Sequence, residues 1–166
     1  MPALKPLSKE AIPAALAKAE RYRLLNEPEE AESICLDVLA ADAGNREARI
    51  QLVLALSDQI GAGIQAFQEG ITAARGLDSE YDRAYFAGLL WERRAKHRVR
   101  EGGMGASHTA YDWIRQAMTY YEEAERHRHA GNDDAVLRWN ACVRFLTRHP
   151  ELAPHVEERA EAVMSE

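Results

Sequence analysis

The sequence contains no long apolar run, and this absence excludes one large class of protein. No stretch approaches the roughly 18 consecutive apolar residues that identify a membrane-spanning helix. The N-terminal run MPALKPLSKE also lacks the apolar core of a secretory signal peptide. We therefore expect a protein that makes no membrane contact and works in the cytoplasm.

Cysteine is scarce, with only Cys35 and Cys142 in 166 residues. Each lies in an apolar run with helical spacing, where cysteine commonly acts as a small buried hydrophobic residue. We therefore predict two free thiols in a reducing compartment and no disulfide. A buried thiol is a poor nucleophile, and no Ser–His–Asp or Cys–His arrangement can be read in the sequence. The expectation is a protein without enzymatic activity.

An excess of positive charge is also missing. The formal net charge at pH 7 is −6, from 21 Lys and Arg against 27 Asp and Glu. Non-specific binding to nucleic acid requires net neutralisation of phosphates, so we expect no nucleic-acid partner. The charge is uneven, however, because residues 75–148 contain 13 basic and 11 acidic side chains. This locally basic segment leaves an acidic peptide partner open.

Residue types that favour helix are abundant, above all Ala, Leu, Glu and Arg. Apolar residues recur at steps of three and four, which is the spacing of one helix face. Local chemistry indicates the ends of the first two helices. Ser8 can cap the first helix, Asn26 can adopt a left-handed conformation after it, and Pro28 suits the first turn of the second. A length of 166 residues corresponds to about one domain.

The stretch at 11–48 resembles one complete tetratricopeptide repeat. That family has small residues where two helices cross and larger residues between them, with a period of about 34 residues. The small and aromatic positions are matched here by Ala19, Tyr22, Ala31 and Val38. Cys35 stands where the family usually has an aromatic residue, and Ala43 where it prefers proline. Similar spacing recurs at 52–73 and again at 88–124.

The resemblance implies an all-α fold, a right-handed superhelix of antiparallel helix pairs with about eight helices, the last of them a C-terminal capping helix. We expect a flexible lead-in at 1–9 and a single helical domain at 10–166. Its predicted units are about 10–45, 46–77, 79–129 and 132–148, followed by the capping helix at 150–165. The third unit carries an insertion of about half a repeat. Its glycine-rich break at 101–105 is either a flexible linker or a lid over the groove.

In the tetratricopeptide family, the first helix of each repeat lines a concave groove that grips a peptide. The groove candidates carried over from the matching positions are Glu20, Arg23, Gln51, Leu54, Tyr85, Leu89, Arg93, Arg138 and Arg144. These residues predict a groove that is acidic and apolar at its first units and lined by arginine at its last. Leu16 and Glu20 stand where chaperone-binding members have a carboxylate clamp, so chaperone tails are not expected partners.

Two further features have competing interpretations. The basic run at 92–98 is either a solvated helix face with pairs such as Glu92–Lys96 or a patch for an anionic partner. The three tryptophans and their neighbouring tyrosines lie at helical spacing, which is typical of core packing and less often of a ligand platform. The runs ERRAK and LRWNAC resemble small bacterial tetratricopeptide proteins without an assigned function.

The leading functional prediction is a non-enzymatic scaffold or adaptor that binds a protein or peptide in the groove, and acidic groups on that partner stay open. The alternative is a secretion or assembly chaperone of the same repeat type, and a less favoured one is a metal- or ligand-binding regulator. His127 and His129 would face opposite sides of a helix, and no strand precedes the glycines at 101–105 as in a phosphate-binding loop. We therefore expect no metal and no cofactor, while a homo-oligomer stays open.

Overall fold

A computed structural model of the chain describes residues 2–154, and it confirms the all-α expectation for them: they form seven α-helices and no strand. The helices are α1 Ile12–Leu24, α2 Pro28–Ala41, α3 Arg46–Asp58, α4 Ile64–Arg75, α5 Glu80–Glu101, α6 Ala106–Arg126 and α7 Asp134–Arg148. No helix in this part of the chain is both long and apolar enough to cross a membrane. The capping helix predicted at 150–165 lies mostly outside the described residues, which end after a 3₁₀ turn at Pro150–Leu152.

Three helix ends show the local chemistry that favours them, and one predicted cap is absent. Asn26 has a φ of 61°, the left-handed conformation predicted for it, and Pro28 is the first residue of α2. The side-chain oxygen of Ser79 accepts a hydrogen bond of 2.9 Å from the amide of Asp82 at the start of α5. The predicted Ser8 cap is wrong. α1 begins only at Ile12, so Ser8 precedes a 3₁₀ turn at Lys9–Ala11, and its side chain makes no capping bond.

Each helix packs against the next along the chain, and α3 also contacts both α1 and α5. Two ion pairs join α3 to α5. Arg46 Nη2 lies 2.5 Å from Asp82 Oδ2 where both helices begin, and Arg93 Nη1 bonds Asp58 where α3 ends. The paired residues are 36 and 35 positions apart in the sequence. The helices α1, α3 and α5 therefore lie side by side, with α3 and α5 parallel.

The longest pair is the α5–α6 hairpin, whose helices have 22 and 21 residues. Its connection contains glycines with φ of 68°, 91° and 70° at positions 102, 103 and 105. Arg98 Nη1 donates to the Gly102 carbonyl at 2.8 Å, which holds the connection folded at the end of α5. The third predicted unit contains about half a repeat of extra sequence. In the structure this extra sequence makes α5 and α6 longer than the other helices.

Both thiols are buried and free, as predicted. Cys35 packs beside Ala19, Ala31 and Ala55 from α1, α2 and α3. Cys142 on α7 packs in a cluster with residues of α5 and α6, Tyr121 among them. The two cysteines thus help to join separate helices at opposite ends of the chain.

Alkaline conditions are expected to destabilise this fold from about pH 9 upward. Burial raises the pKa of Cys35 and of Cys142 from 9.0 to about 12, so the folded chain keeps two protons that the unfolded chain releases. Their contribution is fully present below pH 9. It is lost as the pH rises toward 12, by up to about 1.4 kcal/mol per pH unit for each thiol.

Urea unfolding at a series of pH values checks this expectation. The double variant Cys35→Ala and Cys142→Ala should lose stability less steeply above pH 9. A residual slope should remain, because burial also raises the pKa of Tyr81 and Tyr121. Equal slopes in the two proteins would contradict the assignment to the thiols.

Candidate binding cleft

A cleft of about 490 Å³ opens where α1, α3 and α5 come together. The last turn of α1 forms one wall, the end of α3 and the turn at Ile60–Ala62 form the floor, and the second half of α5 forms the other wall. The lining residues are Glu20, Arg23, Leu24, Asn26, Ser57, Asp58, Ile60, Gly61, Arg93, Lys96, His97 and Arg100. We refer to this space as the main cleft.

One carboxylate organises the main cleft. Asp58 Oδ2 accepts a hydrogen bond of 2.7 Å from Arg23 Nε of α1, and its other oxygen bonds Arg93 Nη1 of α5. Arg93 Nη1 also donates to Ser57 Oγ at 2.7 Å. The side chains of Arg23, Asp58 and Arg93 are 18%, 23% and 31% exposed, so this bridge is only partly open to solvent. It links three helices and limits the freedom of two guanidinium groups at the cleft surface.

The main cleft has more positive than negative charge, in a protein that is acidic as a whole. Its basic side chains are Arg23, Arg93, Lys96 and Arg100, and its acidic ones are Glu20 and Asp58. His97 adds a ring whose Nε2 lies 3.2 Å from Glu101 Oε1. A concave surface with a surplus of one sign of charge attracts ligands of the opposite sign. The cleft therefore favours an anionic group.

A buried charge lies behind the α5 wall. Glu92 is 1% exposed, and its Oε2 accepts a hydrogen bond of 2.6 Å from the hydroxyl of Tyr121. Its Oε1 lies 2.5 Å from Lys96 Nζ and 3.7 Å from Arg138 Nη1. The solvated-face interpretation of the run at 92–98 is therefore wrong for Glu92, because α6 and α7 cover it. The predicted Glu92–Lys96 pair is present. In it, the buried carboxylate of Glu92 holds the ammonium group of Lys96 from the core side of the helix.

The pKa values around Glu92 reflect this burial. Burial, and then the negative charge of Glu92, raise the pKa of Tyr121 far above its ordinary value. Burial lowers the pKa of Arg138, but a hydrogen bond with Tyr85 and the attraction of Glu92 outweigh that effect and raise it overall. Both neighbours therefore keep their protons, and a hydroxyl and a guanidinium face the carboxylate of Glu92.

A second, smaller pocket of about 170 Å³ adjoins the main cleft. The two spaces share Ile60, Gly61 and His97 as a common wall. A Cβ atom on Gly61 would lie 3.2 Å from the His97 ring, so glycine allows the turn to approach that ring closely. In the second pocket, Arg94 Cζ lies 4.1 Å from the ring centre of Phe67 and 4.2 Å from that of Trp113.

No protein-family model, curated protein or solved structure matches this chain. The tetratricopeptide resemblance therefore stays a prediction.

The structure brings together three of the predicted groove residues. Glu20, Arg23 and Arg93 all line the main cleft. Leu54 and Tyr85 are half-buried and pack against the core between α3, α4 and α5.

Four other candidates lie elsewhere. Leu89 is 1% exposed inside the core, so its prediction as a groove residue is corrected. Gln51 is 8% exposed, and its side-chain amide donates to Glu47 at 3.2 Å, which leaves it no room to contact a partner. Arg138 faces Glu92, and Arg144 is exposed on α7, which contributes no residue to the main cleft.

The groove candidates did not include four of the cleft residues: Asp58, Lys96, His97 and Arg100. Lys96 and His97 lie in the basic run at 92–98, for which an anionic-partner patch was one of the two interpretations. Together with Arg100 they follow Arg93 at helical steps of three, four and seven, and that spacing could have placed them on the same face. Asp58 is a carboxylate at the C-terminal end of α3, where a negative charge is unfavourable to the helix dipole. A residue kept in such a position suggests a partner elsewhere in the fold, which here is a pair of arginines.

His127 has carboxylate partners on both ring nitrogens. Its Nδ1 lies 3.0 Å from Glu80 Oε2 and its Nε2 3.0 Å from Glu123 Oε1. Residues 2–154 contain no cluster of three or more His, Cys, Asp or Glu side chains that could hold a metal ion. The imidazole thus connects the start of α5 with the end of α6.

Proposed function

We propose that this protein is a non-enzymatic interaction scaffold that binds an acidic peptide segment of a partner protein in the main cleft. The observation that carries the proposal is the convergence of Arg23 and Arg93, from two different helices, on the single carboxylate of Asp58. Each guanidinium keeps further N–H donors beyond those that bond Asp58. Because both are already restrained, a bound carboxylate would cost them little additional freedom.

The proposal includes a superhelix of tetratricopeptide type. It is supported by the side-by-side placement of α1, α3 and α5, the first helices of successive pairs. It is also supported by contacts between them at offsets of 35 and 36 residues, close to the family's repeat length of about 34. A cleft of about 490 Å³ is within the range of about 300–1,000 Å³ usual for ligand sites. It can hold a few side chains of an extended segment.

An assembly chaperone is the second candidate function. In its favour is an apolar cleft of about 400 Å³ on another side of the molecule, lined by residues of α2, α3 and α4. Leu36 in this cleft is 50% exposed, and Leu52 and Leu56 lie beside it. Such a surface suits an apolar segment of an unfolded client. Peptides with apolar and with acidic cores distinguish the two functions.

Replacement of Arg100 by glutamate is expected to weaken binding of acidic peptides about fivefold, since an exposed ion pair contributes up to about 1 kcal/mol. Arg100 is an exposed member of the cleft, so the fold should persist. The measurement is fluorescence polarisation with labelled decapeptides that have acidic, basic or apolar cores. Binding of the acidic set should also weaken as salt is added.

The matched control is Arg115→Glu, the same change at an exposed position of α6 that does not line the main cleft. It should leave acidic-peptide affinity within about twofold of the original. Binding of only the apolar set would favour the chaperone. Binding of none of the sets, or equal losses in both variants, would overturn the proposed function.

A further inference from the structure

The second pocket contains the guanidinium of Arg94, which has no anionic partner among residues 2–154. Arg94 is stacked between Phe67 and Trp113, with Trp91 at 5.7 Å. No carboxylate or carbonyl of residues 2–154 accepts a hydrogen bond from it. Arg93 and Arg98, on the same helix, both have acceptors. Arg94 thus contacts aromatic rings, while no acceptor among residues 2–154 uses its N–H donors.

The ring contacts restrict the side chain of Arg94. A guanidinium that lies over aromatic rings keeps its N–H donors at its edge, where they can bond a ligand. Burial lowers the pKa of Arg94, yet arginine stays charged in proteins. A charge in a partly buried position without a counter-ion is unfavourable. The ring contacts offset part of that cost, and an anion at the edge would offset more.

The residues that line the pocket indicate which kind of chemical group is attached to that anion. Ile60, Ile64, Phe67 and Trp113 provide apolar surface, and Ile64 is 52% exposed at the rim. The pocket also contains Glu101, whose Oε1 is held by His97 at 3.2 Å and whose Oε2 lies 3.9 Å from Arg98. The volume of about 170 Å³ suits one small functional group and the carbon atoms next to it.

We propose that the pocket at Arg94 is a separate subsite for one carboxylate group attached to an apolar carbon segment. A planar carboxylate matches two parallel N–H groups of the guanidinium edge. A peptide in the main cleft would reach this pocket across the wall formed by Gly61 and His97. That connection rests on the proposed function, whereas the subsite itself does not.

The test titrates the full-length protein with sodium propionate, sodium phenylacetate and inorganic phosphate, each against sodium chloride at matched ionic strength. Nuclear magnetic resonance follows the indole N–H of Trp113 and the Nε–H of Arg94. We expect saturable shifts with both carboxylates, stronger with phenylacetate, and only linear drift with chloride. Saturation by phosphate at lower concentration than by phenylacetate would overturn the carboxylate assignment. Absence of saturation by any of these ions would overturn the subsite.

Two variants make the assignment specific. Arg94→Lys keeps the charge but loses the planar fork, and it should weaken phenylacetate binding about tenfold. Ile64→Glu adds a carboxylate at the exposed rim, at the first residue of α4, where a negative charge is tolerated. It should weaken binding to a similar extent by occupying Arg94. Unchanged affinity in Ile64→Glu would contradict the proposal even if Arg94→Lys failed to fold.

A competition experiment with peptides then tests the subsite and the proposed function independently of each other. Acidic decapeptides with an internal glutamate, and the same peptides with that residue only as a C-terminal carboxylate, are compared in competition with phenylacetate. Competition by the first set would assign the carboxylate to a side chain, and competition by the second set alone would assign it to a chain end. Saturation by phenylacetate without any peptide binding would leave the subsite intact and overturn the proposed function of the main cleft.

Discussion

Replacement of Glu92 by alanine is expected to destabilise the fold by about 2–5 kcal/mol, the cost of an unbonded buried hydroxyl together with that of a cavity. Glu92 is 1% exposed, and its carboxylate accepts from Tyr121 and pairs with Lys96. Without it, the Tyr121 hydroxyl is left buried and unbonded, and Lys96 and Arg138 lose their shared counter-ion. The same change creates a cavity between α5, α6 and α7.

Chemical denaturation monitored by circular dichroism measures this effect. The matched control is Glu122→Ala, which removes an exposed carboxylate from α6 and should change stability by less than about 0.5 kcal/mol. Tyr121→Phe removes only the donor and should cost about 1–3 kcal/mol. The double variant of Tyr121→Phe with Glu92→Ala should cost less than the sum of the two, because both changes break the same bond. A loss below about 1 kcal/mol for Glu92→Ala would contradict the buried network.

Replacement of Gly88 by alanine is expected to cost about 1–3 kcal/mol, although alanine normally stabilises a helix interior by about 1 kcal/mol relative to glycine. An added Cβ would lie 2.8 Å from Tyr121 Cε1 and 3.2 Å from the Ala117 carbonyl oxygen. The Tyr121 ring is 1% exposed and its hydroxyl is bound to Glu92, so it has nowhere to move. The two longest helices would be pushed apart.

Gly70→Ala in α4 is the comparison that tests this reasoning. Its Cβ would lie 2.7 Å from Leu90 Cδ2, which is the end of a flexible side chain, and 3.6 Å from Leu56 Cβ. A leucine methyl can shift more easily than a backbone carbonyl or an anchored ring, so Gly70→Ala should cost clearly less than Gly88→Ala. Urea midpoints of the two variants give the order. The reverse order, or a stabilised Gly88→Ala, would show that the α5–α6 crossing is looser than described.

Much of the helical layout could be predicted because it depends on neighbouring residues in the chain. Asn26 tolerates a left-handed backbone, Pro28 begins a helix, and the glycines at 102–105 end one. The family spacing at 88–124 begins at Gly88, which lies at the point where α5 approaches α6. Ser8 was the exception, because α1 begins four residues later, after a 3₁₀ turn.

The cleft could be predicted only in part, because a helical pattern does not say which of its faces is covered. Arg93 and Leu89 lie one turn apart on α5, yet the first lines the main cleft and the second is in the core. The helix face predicted to line the groove therefore includes residues that pack toward α4 instead. Asp58 could not be assigned from its own segment, since its two partners lie 35 residues away on either side.

The sequence by itself determined the class of fold, the positions of most helix ends, the free thiols and the concentration of arginine in the second half of the chain. Each of these depends on composition or on contacts within a few residues. Only the tertiary structure decided the environment of the run at 92–98, where consecutive side chains have different surroundings. Glu92 is covered because Tyr121 and Arg138 come from other helices, and Arg94 is stacked because α4 and α6 supply the two rings.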